Sequence, residues 1–256
     1  MKGQMSSLSS THVPSLLPQN KNLSIFKFKA APNPYKCGRI KAEMEIKVCV
    51  NRTCRRQGSM QTLEILSGIA PPDVAVKSCG CLGHCGAGPN LVVLPDGVFV
   101  GHCGTAARAA DVVMALCGGS GSDAWKSLDA LALRKQAEVE FHGGNFSEAE
   151  LLLSQAIDLK PCGGIHIIYK DRSFAKLAMG DYSGALEDAK EAMALAPQYS
   201  EAYICLGDAF LAMNQFDAAE KSYSTSLELD PSIRHSRSFK ARIAKLQEKF
   251  AAANML

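Results

Sequence analysis

Nowhere in the 256 residues is there a run of about 18 apolar side chains, which excludes a membrane-spanning helix. Acidic residues are missing from one whole segment: Met1 to Ala42 holds seven Lys or Arg and no Asp or Glu. No G-x-G-x-x-G follows a strand and no P-loop is found, so a flavin or nucleotide site is not indicated and a redox enzyme is disfavoured. No aromatic-basic RNA motif is present either, so no nucleic-acid partner is expected. What remains is ordinary globular composition, 47% hydrophobic and 21% charged with a net charge of +3, in a chain long enough for two modest domains.

The acid-free opening segment is rich in Ser, with scattered Pro and Asn, and shows no sustained period of 2 or 3.6. That composition reads as a transit peptide over 1–42. The lack of an amphipathic Arg helix points to the plastid stroma, with the mitochondrial matrix and a plain disordered tail as alternatives. The mature chain is expected to begin near Glu43.

Ten cysteines stand at 37, 49, 54, 79, 81, 85, 103, 117, 162 and 205, eight of them before residue 120. In a reducing compartment such clustering suggests metal binding or redox work more than disulfides. The first domain, 43–118, therefore holds the cysteine chemistry. Its "EMEIKVCV" alternates as a strand does, "TCRRQGSMQTLEILSGIA" carries helical spacing until "APPD" stops it, and "DVAVKSC" is a second strand. Glycines at 80, 83, 86 and 88 break regular structure in "GCLGHCGAGPN". "LVVLPDGVFVG" is a hairpin and "TAARAADVVMALC" a closing helix, which completes an α/β layer with cysteines at its loop ends.

Cys49 and Cys54 have four residues between them, and Cys81 and Cys85 have three. Two close thiol pairs on separate loops suit zinc or an iron-sulfur unit, since thiolates are soft ligands; zinc ribbons, however, usually carry two CxxC knuckles. Taken together, "VCVNRTCRRQGS", "GCLGHCGAGPNLVVLPDG" and the element order resemble the thioredoxin-like [2Fe-2S] ferredoxins over residues 44–118. The resemblance implies a [2Fe-2S] cluster with Cys49 and Cys54 on one iron and Cys81 and Cys85 on the other. The chain departs from the plant-type photosynthetic ferredoxins, which crowd three cysteines in one loop. Cys79 is an additional thiol, a substitute ligand or a thiol buried at a strand end, with the second reading favoured, and Cys103 and Cys117 have no partner at a motif spacing and read as small hydrophobes. Arg52, Arg55 and Arg56 surround Cys54 and could receive an acidic redox donor, or be solvated helix-end charges.

"GGSGSD" reads as a flexible linker over 119–123. Beyond it Pro161, Pro197 and Pro231, spaced by 36 and 34, close the matching phrases "GNFSEAELLLSQAIDLKP", "GDYSGALEDAKEAMALAP" and "NQFDAAEKSYSTSLELDP". A period near 34 with Ala149, Ala185 and Ala219 in register is identified as three tetratricopeptide repeats (TPRs) over 124–231. The two extra residues fall in the Gly-rich "KPCGGIH". Phe239, Ile243, Leu246 and Phe250 share one face of a capping helix within 232–256.

Stacked helix pairs of this kind offer a concave surface to a protein segment, and nothing in them suggests catalysis. Modules that clamp acidic chaperone tails use Lys and Asn at set first-helix positions. Here Arg134, Glu138, Asp171, Glu201 and Cys205 occupy the corresponding helices, so the charges do not match that clamp. The last helix has six Lys or Arg against one acid between Ser232 and Phe250, which permits peripheral membrane contact or an acidic partner but is also ordinary solvation. The sequence as a whole predicts an α/β thioredoxin-like domain followed by an all-α TPR solenoid. The expected role is a non-enzymatic plastid factor for electron delivery, redox sensing or assembly, docked by its repeats. A cluster-free or zinc-binding TPR scaffold or co-chaperone is the alternative.

Overall fold

A computed structural model of the chain describes residues 44–118 and 121–253. The transit peptide expected over 1–42 lies outside the described residues. The N-terminal part is a small four-stranded sheet with helices. Strand β1 (Met44–Cys49) is followed by the short helix α1 (Arg52–Arg56), helix α2 (Ser59–Ile69), β2 (Val74–Cys79), β3 (Leu91–Leu94), β4 (Val98–Val100) and α3 (Ala106–Cys117). The strand order is β2-β1-β3-β4, with β1 and β2 parallel and β3 antiparallel to both β1 and β4. Alternation in β1 and β3 sends Ile46, Val48, Leu91 and Val93 into a core completed by Leu66 and Ile69 of α2 and Val113 of α3. Thr105 caps α3, its hydroxyl accepting from the Arg108 N–H at 3.2 Å.

The remainder is helical. α4 (Gly121–His142) pairs with α5 (Phe146–Asp158), α6 (Ile165–Met179) with α7 (Tyr182–Leu195), and α8 (Ser200–Ala212) with α9 (Phe216–Leu229), before α10 (Arg237–Ala253) closes the stack. The first helices α4, α6 and α8 also touch one another in order, so they form one layer of the stack. Close approach within each pair depends on small side chains: Ala149, Ala185 and Ala219 are fully buried. At Gly207 a Cβ would lie 2.5 Å from the ring of Tyr223, so only glycine lets α9 lie this near α8. On α10 Phe239 and Leu246 are buried and Ile243 and Phe250 pack beside them, with Phe250 5.4 Å from the Phe216 ring.

The connector expected at 119–123 is shorter than its composition suggests. α3 ends at Cys117 with Gly118 left-handed, and Gly121 already begins α4. The reason is contact: α4 packs on both α2 and α3, and Ala124 and Leu131 belong to the core of the sheet domain. Gly68 of α2 makes room for it, since a Cβ there would sit 2.6 Å from Leu131 Cδ1.

The turn between α5 and α6 grips the same domain. The N–H of Gly164 donates to the carbonyl of Ala70 at 3.0 Å. Gly164 has φ of 74°, and a Cβ on Gly163 would come within 2.8 Å of the backbone of Ala70 and Pro71. The two extra residues of the repeat spacing thus serve to seat this turn on the end of α2. No helix among the described residues is long and apolar enough to cross a membrane.

Candidate functional site

Two places among the described residues bear on the predicted sites. The first is the cysteine end of the sheet. Cys49 closes β1 opposite Cys79 of β2, Cys54 is carried by α1, and Cys81 and Cys85 lie on the loop after β2. Cys49 and Cys54 are buried, whereas Cys81 and Cys85 are exposed with their Sγ atoms 3.7 Å apart. Asn90 ties the two loops: its backbone carbonyl accepts from Cys49 N–H at 2.9 Å, and its side-chain amide donates to the His84 carbonyl at 2.6 Å. Gly88 leaves space for the thiol of Cys54, whose Sγ would be 2.9 Å from a Cβ there.

Burial alone would push the Cys49 thiol up, but the N–H groups of Asn51 and Leu82 and the thiols of Cys54 and Cys81 all stabilise its thiolate, and the net shift is downward. Burial first, and then the hydrogen bond to Cys49, raise Cys54. Cys85 is raised by its hydrogen bond to Cys81. Cys49, Cys54, Cys81 and Cys85 thus lie on β1, α1 and the loop after β2 at one end of the sheet, with Cys81 and Cys85 in contact. The expected [2Fe-2S] cluster is not supported. Among the described residues, no group of three or more His, Cys, Asp or Glu side chains is arranged to hold a metal ion. Arg52, Arg55 and Arg56 are exposed, but nothing in the structure supports the expected acidic redox donor there.

The second place is the layer of first helices. A cleft of about 280 Å³ lies between α4 and α6, edged by Arg134, Glu138, Lys170 and Asp171. A larger one of about 780 Å³ runs between α6, α8 and α10, edged by Leu177, Asp208, Leu211, Arg242, Lys245 and Lys249. Phe174 lines both.

The cations of the smaller cleft are committed internally. Lys170 lies 2.8 Å from Asp171 and 3.2 Å from Glu201, Arg134 lies 3.9 Å from Asp171, and the Tyr199 hydroxyl donates to Glu201 at 2.6 Å. Burial opposes the charge on Lys170, but Asp171, Tyr199 and Glu201 outweigh it and raise its pKa. Behind them His166 is buried with its ring 5.1 Å from Tyr199 and an unpartnered Nδ1. Burial, then the charges of Lys170 and Arg134, bring its pKa down to about 4.

The larger cleft differs. Asp208 accepts from Arg242 Nε at 2.8 Å and from the Tyr223 hydroxyl at 2.6 Å. Lys245 and Lys249, on the exposed side of α10, have no ion-pair partner among the described residues.

The sequence reading missed Asn90, whose signal was only its place in "GPN", and missed that Cys117 has a partner. Cys117 does not pack as an isolated small hydrophobe: its thiol is exposed and donates to Cys162 Sγ at 3.4 Å, across 45 residues of sequence. Cys103 is fully buried, and burial pushes its thiol up to about 11.

A family model described as tetratricopeptide repeat matches residues 176–243. The chain is 34% identical over 102 residues to the STIP1 homolog of Dictyostelium discoideum, covering 40% of this chain and 18% of that protein. It is 34% identical over 119 residues to the Hsp70-Hsp90 organizing protein of Triticum aestivum, covering 46% and 20%. Heat shock protein STI1 of Saccharomyces cerevisiae is 30% identical over 122 residues, covering 48% and 20%. The chain thus spans about a fifth of the length of these relatives. Among solved structures, the first TPR domain of human RPAP3 is 25% identical with a TM-score of 0.44, covering 48% of this chain and 94% of that one. The C-terminal part of the chain is a TPR domain. The names of these relatives refer to heat shock proteins and to Hsp70-Hsp90 organisation, not to a cluster.

Proposed function

We propose that the chain is a TPR adaptor of the co-chaperone kind, which holds an extended protein segment in the groove of its first helices and performs no catalysis. The observation that carries this reading is the pair of clefts on the layer of first helices, both lined by Phe174. Kinship to chaperone-organising proteins supports it, as does the charge pattern. Because Arg134 and Lys170 are neutralised by Asp171 and Glu201, an acidic segment is not drawn to the α4–α6 end. Its carboxylates belong at the α10 end, beside Lys245 and Lys249, with an apolar side chain against Leu177 and Leu211. The α/β layer is then a companion welded to the repeats, and its strand order supports a thioredoxin-like reading. Residence in the plastid stroma belongs to the same proposal, on the composition of 1–42.

The test is titration of the full chain with an acidic peptide ending in EEVD, followed by fluorescence anisotropy. Binding is expected to weaken with salt and to fall by about tenfold or more in the Lys245→Glu/Lys249→Glu double variant. No binding, or binding indifferent to that double variant, would overturn the reading.

A further inference from the structure

The contact between the sheet domain and the repeats holds a thiol pair that neither half explains. Cys117 is the last residue of α3, and Cys162 lies in the turn between α5 and α6. Their sulfurs are 3.4 Å apart and not bonded, with the Ser127 hydroxyl of α4 3.5 Å from Cys162 Sγ. Three elements from both halves therefore converge on one point, where Cys117 is exposed, Cys162 half-buried and Ser127 buried. The surroundings are rigid, because the neighbouring Gly163 and Gly164 are pressed against the backbone of residues 68–71 and anchored by the hydrogen bond to Ala70. A second link, the ion pair of Lys135 on α4 with Glu64 on α2, lies across the same contact.

We propose that Cys117 and Cys162 are a redox modification site: they form a reversible disulfide that locks the sheet domain to the repeats. A closing movement of little more than 1 Å takes the two sulfurs from contact to bonding distance. The oxidant is a small-molecule disulfide such as oxidised glutathione. The thiolate of one cysteine attacks a sulfur of that disulfide, forming a mixed disulfide and releasing one small thiol. The second cysteine, as thiolate, then attacks the protein sulfur of the mixed disulfide and releases the other small thiol. Two protein thiols are oxidised, one small disulfide is reduced to two thiols, and the electrons balance. Exposure of Cys117 gives the oxidant access, and the packed turn holds Cys162 in place to resolve the mixed disulfide. The pair is separate in sequence and in space from Cys81 and Cys85, and the proposal does not depend on what occupies the groove.

The experiment equilibrates the full chain in glutathione buffers of graded ratio, quenches with an alkylating agent, and maps linked peptides by mass spectrometry. A peptide joining Cys117 to Cys162 is expected, with an equilibrium constant about 100-fold larger in native buffer than in concentrated urea. The oxidised chain should melt about 5 °C or more higher than the reduced one. Cys162→Ser and Cys162→Ala should each lose the linked peptide and the oxidation-dependent rise in melting temperature. Absence of that peptide at every ratio, equal linkage in urea, or pairing of Cys117 with another cysteine would overturn the proposal.

Discussion

The sheet domain and the repeats bury their chains by opposite means. In the sheet domain the fully buried side chains are bulky: Ile46, Val48, Leu66, Ile69, Leu91 and Val113 fill the space between strands and helices. In the repeats the fully buried positions are dominated by alanine, with Ala149, Ala185, Ala189, Ala192 and Ala219 at the helix contacts. Bulk stabilises the first region and closeness the second. Closeness also brings polar groups inside: Asp188 of α7 is 3% exposed and accepts a two-pronged bond from Arg172 of α6 at 2.7 and 2.8 Å, with Lys176 at 3.0 Å. No comparable pair occurs in the described core of the sheet domain. Substitutions should therefore act differently in the two regions.

The largest effect is expected at that buried acid. Asp188→Ala leaves Arg172 without its carboxylate in a tight helix contact and should cost about 4 kcal/mol of stability, read from urea denaturation. Replacing both partners, as Asp188→Leu with Arg172→Met, should recover most of the loss, because the desolvation cost disappears with the charges. If the single and the double variants lose equally, the pair is packing rather than electrostatics, and the contrast with the sheet domain weakens.

Next come paired volume changes. Leu66→Ala should cost about 3 kcal/mol by leaving a cavity in the sheet-domain core. Ala185→Leu should cost about 2 kcal/mol or more by forcing α6 and α7 apart. The contrast predicts that a cavity variant in the repeats, Ala185→Gly, loses much less than Leu66→Ala. Comparable losses at the two sites in midpoint measurements would remove it.

How much of this was legible follows the same division. Alternation in "EMEIKVCV" and the Pro-Asp-Gly turn located the strands because each carries a local signal, and the proline period located the helix pairs. The contact between the halves had no local signal. "GGSGSD" looks like a linker since composition reports chain flexibility, not the packing of α4 on α2, and "PCGG" looked like a tolerated insertion when its glycines admit a neighbouring backbone. The departure from a 34-residue spacing was the one available hint. The four cysteines lie on β1, α1 and the loop after β2 at one end of the sheet, but spacing does not report how thiols are arranged in space, and among the described residues no group of three or more His, Cys, Asp or Glu side chains is arranged to hold a metal ion. Arg172 and Asp188, 16 residues apart on different helices, follow no periodicity that a sequence pattern would expose.

A smaller effect separates the regions by pH. His166 is held neutral in the folded repeats, its pKa brought from an ordinary 6.5 down to about 4 by burial and then by Lys170 and Arg134. The unfolded chain binds the proton first, so this contribution is fully present above about pH 6.5 and is lost as pH falls towards 4. Between pH 7.5 and 5 it should remove about 2 kcal/mol. His166→Phe should flatten that part of the profile while leaving any slope due to carboxylates. An unchanged profile would mean that the imidazole finds water or a partner for its charge.

The smallest effect tests whether the two regions unfold together. Thr105→Ala removes the hydroxyl that caps α3 and should cost about 1 kcal/mol, a loss that originates wholly in the sheet domain. The chain has a single tryptophan, Trp125, on α4 of the repeats, while far-UV circular dichroism reports chiefly the helices of the stack. Since α3 packs on α4 and the sheet-domain core includes Ala124 and Leu131, the loss should reach both signals and lower their urea midpoints by the same amount. A repeat stack that unfolded independently would keep its midpoint in this variant. The shared core makes the first outcome the expected one, because α4 cannot leave the stack without also exposing the apolar surface of α2 and α3.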